Sequence, residues 1–525
     1  MKSTLLIVVI SPRIFVEQPS SFPDYAAKLM TSNGYTETGP PAWVADAVFY
    51  QIFPDRFARS GRVDLGIRLE GWDEPPSYTG YKGGDLWGVI EKLDYLKDLG
   101  ITALWFNPIF QSASNHRYHT HDYTKIDPVL GGNEAFDALI KETKARDMRV
   151  ILDGVFNHAS RGFYQFSDIA EHQEKSAFLD WFNVYEFPID PYNEDKPAGY
   201  QAWWGLHALP EFNTEHEAVR EFLWGIGSYW AEKGIDGWRL DVPNEVSTDG
   251  FWEEFRRRVR KANPEAYITG EIWQVAPDWV GDSGRFDGVM NYPLGTSIIA
   301  FAVGNRVNPD AIITNNDYSV TPGLNAGQFA DRIDWLTNTY GPEVRTAMFN
   351  LLDSHDTARI LSLADGETDL VILCLALLLT MPGAPCIYYG TEVELEGLPD
   401  PDTRRGFPWD RVGQSLPVDV ALRELIALRH AEDGLRSPHI ERLGPEPGGE
   451  YGRTYVFSRG EGADRIVVAV NHADESDVVP CPVQLSGDAV RLWGTASVAE
   501  ASGEDATGNE ICFPARSIGI WKDPA

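Results

Sequence analysis

Four apolar runs of this chain end in residues able to do chemistry. One gives Asp153, Asn157 and His158, the next Arg239 and Asp241, the third Glu271 followed by Trp273, and the last His355 and Asp356. Arg239 precedes Asp241 by two positions, and side chains two apart on a strand share a face, so the guanidinium can hold the carboxylate ionised and aimed. One such pair is an ordinary structural ion pair; four loaded tips together read as a site. No tip offers a Ser-His-Asp set, and Gly83-Gly84 is followed by Asp85, which repels phosphate instead of cradling it.

Carboxylates converging in an aromatic-lined cleft suit cleavage of a glycosidic bond. One attacks the anomeric carbon, one donates and then removes a proton, and the charge of a third favours the oxocarbenium-like transition state; a retaining enzyme holds the first two roughly 5–5.5 Å apart. Neighbouring strands supply such a spacing. The environments are expected to differ, with Arg239 lowering the pKa of Asp241 and nearby carboxylates raising that of Glu271. A metal site is the competing use of clustered acids, but these alternate with Trp and Arg, poor company for a cation.

The elements that must position these groups are legible. Strand-length apolar runs recur at Val48–Phe53, Ile101–Phe106, Val150–Leu152, Gly237–Leu240, Ala266–Thr269, Gly288–Tyr292, Thr346–Leu352 and Cys386–Tyr389. Most are separated by helix-period segments, which predicts parallel strands with crossover helices. Thr214 with Glu217 fits a capping box before the stripe Phe222, Leu223, Ile226, Tyr229 and Trp230, and Gly234 fits its end. Asn133 opens another helix with Phe136, Leu139 and Ile140 as its buried stripe. The fold class is α/β: a (β/α)8 barrel over residues 43–158 and 213–432, whose active site belongs at the C-terminal strand ends. Residues 159–212, rich in Phe, Tyr and Trp, form an inserted subdomain after the third strand. Residues 433–525 alternate in the manner of an antiparallel β-sandwich, and 1–42 read as a loose leader.

Acidic residues number 78 against 45 basic ones, a net charge of −33 that excludes nucleic acid and anionic membrane as partners and suits a neutral substrate. None of the four cysteines forms a C-x-x-C pair, so zinc is not indicated; Cys374 and Cys386 read as inert core residues, and Cys481 and Cys512 as free thiols unless an oxidising compartment pairs them. The apolar stretch Leu5–Ile10 lacks a small-residue cleavage site after it, which places the protein in the cytoplasm.

The four tips, in order, resemble the α-amylase family of glycoside hydrolases: L-D-G-V-F-N-H from Leu152, G-W-R-L-D-V-P-N-E from Gly237, G-E-I-W from Gly270 and S-H-D from Ser354 look like its signature blocks. The resemblance covers about residues 43–430. It implies Asp241 as nucleophile, Glu271 as acid/base and Asp356 as transition-state stabiliser, with Asp153, His158, Arg239 and His355 around the sugar at the cleavage point. His116 and Tyr118 match a pair lining the same subsite. F-Y-Q-I-F-P-D-R-F at Phe49, G-G-D-L at Gly83, S-N-H-R-Y at Ser114, L-P-E-F-N at Leu209 and P-N-E after the nucleophile are similar to the cyclomaltodextrinase, neopullulanase and maltogenic amylase branch. That likeness implies Asn244 and Glu245 on the acceptor side and Asp400 with Arg404 on the donor side. Trp273 is assigned either to stacking on an acceptor sugar or to plain packing.

Two departures stand out. The branch carries a β-domain before its barrel that closes the site by dimer exchange; only about 42 residues stand there in this chain, which implies a more open cleft and leaves the oligomeric state undetermined. The loop Ala58-Arg59-Ser60-Gly61-Arg62-Val63 lacks the Asn and Asp ligands that hold calcium in some relatives, leaving Asn157 and Asp85, and no cofactor is required. The expected activity is retaining hydrolysis of α-1,4 links, with α-1,6 links as an extension, in cyclodextrins, pullulan or maltooligosaccharides. A glucanotransferase of the same family is the nearest rival, and a non-catalytic carbohydrate-binding barrel a more distant one.

Overall fold

A computed structural model describes residues 39–64, 66–313, 318–446, 452–480, 485, 489–500 and 509–523. The leader, apart from residues 39–42, and Cys481 lie outside these residues; Cys374, Cys386 and Cys512 carry free thiols.

Eight parallel strands form the barrel: β1 (Phe49–Ile52), β2 (Ala103–Phe106), β3 (Arg149–Gly154), β4 (Gly237–Leu240), β5 (Tyr267–Gly270), β6 (Gly288–Val289), β7 (Phe349–Leu351) and β8 (Ala384–Tyr388). They pair in the order β6-β5-β4-β3-β2-β1-β8-β7, and a parallel bridge between Met290 and Phe349 joins the two ends. Helices cover the outside while side chains fill the inside, so these strands are buried on both faces and read as unbroken apolar runs. Two boundaries move inward from the sequence reading. Tyr292 opens the helix Tyr292–Ala302, with Pro293 in its first turn where no N–H partner is needed, and Thr346 belongs to the helix Pro342–Ala347.

The helix Gly132–Lys144 buries Phe136, Leu139 and Ile140 as its pattern requires. The helix Glu217–Glu232 buries Leu223, Ile226 and Trp230, and Gly234 beyond its end takes a left-handed φ of 103°. The proposed capping box is absent. The helix begins after His216, and the Thr214 hydroxyl instead meets that of Thr248 at 2.7 Å, tying the helix entry to the loop after β4.

Strand register delivers the catalytic candidates. Asp153 lies opposite Arg239, Arg239 opposite Thr269, and Leu240 opposite Gly270. The next residues, Asp241 and Glu271, therefore leave adjacent strands at one level. β4 and β5 approach closely at Gly237, where a Cβ would lie 2.0 Å from the Tyr267 carbonyl oxygen. Any side chain there would separate the two strands that carry the pair.

Between β3 and the helix Glu217–Glu232 the chain builds a small lobe. It holds the helix Tyr164–His172, bridges such as His158 with Glu211 and Ala202 with Pro210, and a core of Phe163, Phe166, Phe182, Tyr200 and Phe212. After the helix Pro417–Ala431 the chain forms a five-stranded and a three-stranded antiparallel sheet, which enclose Val456, Val467, Ile511, Phe513 and Trp521. Two buried arginines meet carbonyls at the end of the helix Thr368–Thr380, and one of them ties the sandwich to the barrel. Arg459, on a sandwich strand, donates to the carbonyls of Thr380, Ser437 and His439. Arg429 donates to those of Leu379 (2.9 Å), Gly383 (2.6 Å) and Leu435 (3.0 Å). Helix C-termini leave carbonyls unmet, and these cations meet them. No helix among the described residues is long and apolar enough to cross a membrane.

Candidate active site

Arg239, fully buried, is the hub. Its Nη1 donates to Asp153 Oδ1 at 2.8 Å and to Asp241 Oδ1 at 3.0 Å, while Nη2 stands 3.0 Å from Glu271 Oε1. Its guanidinium also lies over the Trp105 ring, 5.3 Å from the centroid. One cation thus holds three carboxylates from β3, β4 and β5. Glu271 accepts further from Trp273 Nε1 (3.1 Å) and from the Val242 N–H (3.0 Å). Val242 reaches that position in a left-handed conformation, φ 35° and ψ 50°, strained for a β-branched residue. The kink breaks the chain out of β4 directly after Asp241 and turns one amide towards the partner carboxylate.

Burial sets the electrostatics. It raises Asp241 well above the usual carboxylate range, and the neighbouring Glu271 adds to it; Arg239 opposes both without reversing them. Arg239 lowers Asp241 as expected, but the expected net lowering is overturned: removing a carboxylate from water outweighs one guanidinium that it shares with two other acids. Burial takes Asp153 to about 6 against the pull of Arg239, and Asp356 to about 7 with help from Glu271. Burial drives His355 and His116 well below the ordinary imidazole value and His158 to about 3, leaving neutral rings.

A chain of hydrogen bonds fixes which nitrogen of His355 carries the proton. Tyr118 Oη donates to Asp153 Oδ2 at 2.9 Å, so it must accept from His355 Nε2 at 2.6 Å and from Asn107 Nδ2 at 3.2 Å. His355 Nδ1 is then the acceptor, and Gln51 Nε2 supplies its proton at 2.9 Å while also donating to Asn107 Oδ1 at 2.9 Å. The Tyr118 and His355 rings stack at 5.4 Å with planes 2° apart. Gln51 and Asn107 were not found from the sequence; the signal was a polar side chain inside a fully buried strand, Gln51 in Phe-Tyr-Gln-Ile of β1. Gln51→Glu should pull the proton onto Nδ1 and lower kcat roughly 10- to 100-fold. A pH–kcat profile checks this, since the variant should gain an ionisation that the wild type lacks.

A cleft of about 570 Å³ opens above these groups. Its lining includes His116, Tyr118, His158, Asp241, Asn244, Glu245, Glu271, Trp273, His355, Asp356, Asp400 and Arg404; Asp153 and Arg239 lie buried beneath. The catalytic and sugar-binding candidates read from the sequence thus lie in or under one cleft, while Asn157 of the third strand tip is buried outside its lining. Asn244 and Glu245 occupy a short turn beyond Val242, exposed on the rim. Arg404 reaches Asp400 Oδ1 at 3.0 Å and Asp356 Oδ1 at 3.5 Å, and donates to the His355 carbonyl at 2.9 Å. Trp273 packs one face on Tyr292, centroids 3.9 Å apart, so packing accounts for that face while its edge lines the cleft. Trp203, Trp204 and Tyr78 also line it and were missed, because their aromatic loops carry no periodic signal.

Calcium does not fit the remaining ligands. Both Asp85 oxygens accept N–H donors, Oδ1 from Gly88 at 2.8 Å and Oδ2 from Ser60 at 3.1 Å, capping the helix Leu86–Glu91. Asn157 Nδ2 faces His158 Nδ1 at 3.4 Å, and among the described residues no group of three or more His, Cys, Asp or Glu is arranged to hold a metal ion.

Residues 51–438 match the family described as "Alpha amylase, catalytic domain". The chain is 38% identical over 450 residues to a cyclomaltodextrinase of Geobacillus thermopakistaniensis, covering 85% of this chain and 72% of that one. It is 37% identical over 455 residues to neopullulanase 2 of Thermoactinomyces vulgaris, covering 85% and 73%. Among solved structures, the native debranching enzyme of Nostoc punctiforme is similar with a TM-score of 0.84 and 46% identity, covering 93% of this chain and all of that one (100%).

Proposed function

The chain belongs to the α-amylase family of glycoside hydrolases, and from that premise we propose that it is a cytoplasmic, retaining α-glucan hydrolase. Its substrates are α-1,4 links of cyclodextrins, pullulan or maltooligosaccharides, and α-1,6 links at branch points. The observation that carries this reading is the grip of one buried guanidinium on Asp153, Asp241 and Glu271 at the floor of an open aromatic cleft. The relatives named cyclomaltodextrinase and neopullulanase support the α-1,4 substrates, and the debranching enzyme supports the α-1,6 extension.

In this mechanism the ionised form of Asp241, which Arg239 favours against burial, attacks the anomeric carbon while Glu271 gives its proton to the leaving oxygen. Arg239 keeps Asp153 and Asp241 in place, and Asp356, beside the neutral His355, answers the positive charge that grows on the ring. Glu271, now a carboxylate, draws a proton from water, which opens the glycosyl–Asp241 ester from the opposite side. Transfer differs from hydrolysis only in whether a sugar hydroxyl replaces that water.

The test is a panel of cyclodextrin, pullulan, starch and maltotriose, with products separated by chromatography and the anomer of the first product read by NMR. Release of α-anomers from at least one substrate is expected. Release of β-anomers, or transfer dominating at low acceptor concentration, would overturn the hydrolase reading.

A further inference from the structure

The two terminal nitrogens of Arg239 face Asp153, Asp241 and Glu271. The nitrogen that remains, Nε, donates to Met290 Sδ at 3.3 Å. Met290 is fully buried and lies outside the lining of the cleft. Its backbone fixes where the sulfur stands. Met290 follows β6, its N–H donates to the Gly270 carbonyl at 2.9 Å, one residue before Glu271, and its bridge to Phe349 closes the barrel.

Methionine in an interior is ordinarily a filler of irregular gaps, and filling alone would explain its burial. Filling does not explain the direction of the Nε–H, nor the kind of atom that meets it. A hydrocarbon at this place would leave a buried N–H unmet, which costs more than the bond itself contributes. A fourth carboxylate would take a share of the one cation and repel the three acids already there. A thioether accepts weakly and carries no charge, so it satisfies Nε and leaves the positive charge to Asp153, Asp241 and Glu271. The Trp105 ring, 5.3 Å from the guanidinium carbon, covers the cation but has no acceptor atom for Nε.

We propose that Met290 is a positioning residue for the reaction: its sulfur pins Nε, which fixes the orientation of the guanidinium and so the direction in which Asp241 faces the sugar. It acts only through Arg239, and the role rests on the reading of Asp241 as the nucleophile of an α-glucan hydrolase. The titratable groups that face Arg239 are Asp153 from β3, Asp241 from the end of β4, Glu271 from the end of β5 and Tyr118; its charge also reaches Asp356, His355 and Tyr292.

Met290→Leu and Met290→Gln test it, since leucine keeps the volume without an acceptor and glutamine restores an uncharged acceptor of similar length. The readouts are kcat/KM on maltoheptaose from about pH 5 to about pH 8 and the melting temperature of each variant. Ionised Asp241 is the attacking form and Arg239 favours it, so a loosened guanidinium costs most on the acid side. Met290→Leu should lose about tenfold near pH 5 and less than about threefold near pH 8. Met290→Gln should recover most of the acid-side loss yet melt below Met290→Leu, because an amide is costly to bury. A filler role gives the reverse order, with leucine the better replacement in rate as well as in stability. An unchanged pH profile in Met290→Leu, an equal loss at every pH, or a loss that glutamine does not reduce would overturn the proposal.

Should the wild type cleave no α-glucan, the hydrolase reading fails by itself, and the melting temperatures decide on Met290. Burial raises Asp153 to about 6 and Asp356 to about 7 while Arg239 opposes it, so both ionise across this range. Acids raised on folding lose stability as pH rises through their folded values, and a weaker grip raises them further. The gap in melting temperature between the wild type and Met290→Leu should therefore widen from about pH 5 to about pH 8, and a constant gap overturns the role.

Discussion

Asp241→Asn should abolish turnover of every α-glucan, by roughly 10⁴-fold or more in kcat, while leaving KM nearly unchanged. Asparagine keeps the size of the side chain, and its carbonyl oxygen can still accept from Arg239 Nη1, which Asp241 meets at 3.0 Å. What it loses is the charge that attacks the anomeric carbon. The change also removes a buried acid from the cluster, so the protein should melt no earlier than the wild type. Single-turnover kinetics and a melting curve check both halves. Full activity in a verified Asp241→Asn sample would move the nucleophile elsewhere.

Glu271→Gln should separate the two halves of the reaction. The amide can still accept from the Val242 N–H, 3.0 Å away in the wild type, so the local turn is kept. It has no proton to give, and kcat on maltooligosaccharides should fall about 10²- to 10⁴-fold. Glucosides of strongly acidic phenols leave without a proton, so their first step should survive and the glycosyl enzyme should accumulate as a burst. Azide needs no general base to attack and should restore turnover, giving an α-glycosyl azide. A loss of equal size for all leaving groups, with no azide effect, would remove Glu271 from the acid/base role.

The barrel was legible because each strand is buried on both sides and so appears as an unbroken apolar run. Strand ends were less so: β6 keeps only Gly288 and Val289, since Pro293 imposes a helix start where the apolar run continues. The capping box at Thr214 failed because a pattern of residue types does not say where the first turn closes. At the site, Asp241, Glu271 and Asp356 could be read because each sits at a strand end with a recognisable partner. The direction of the Asp241 shift could not. It depends on how much water is excluded and on how many acids share Arg239, quantities that exist only after residues 153, 239 and 271 have met. Gln51 was hidden for a related reason, since its partners Asn107 and His355 come from other strands.

Arg429 and Arg459 have a consequence for how the molecule can be divided. The carbonyls they donate to include those at the end of the helix Thr368–Thr380 and in the turn after it, and one of the two cations arrives from the C-terminal sheet. A truncation before that sheet would remove the guanidinium that meets the Thr380 carbonyl. What looks along the chain like a detachable appendix is energetically the final turn of a barrel helix, and the two parts should melt in a single cooperative transition.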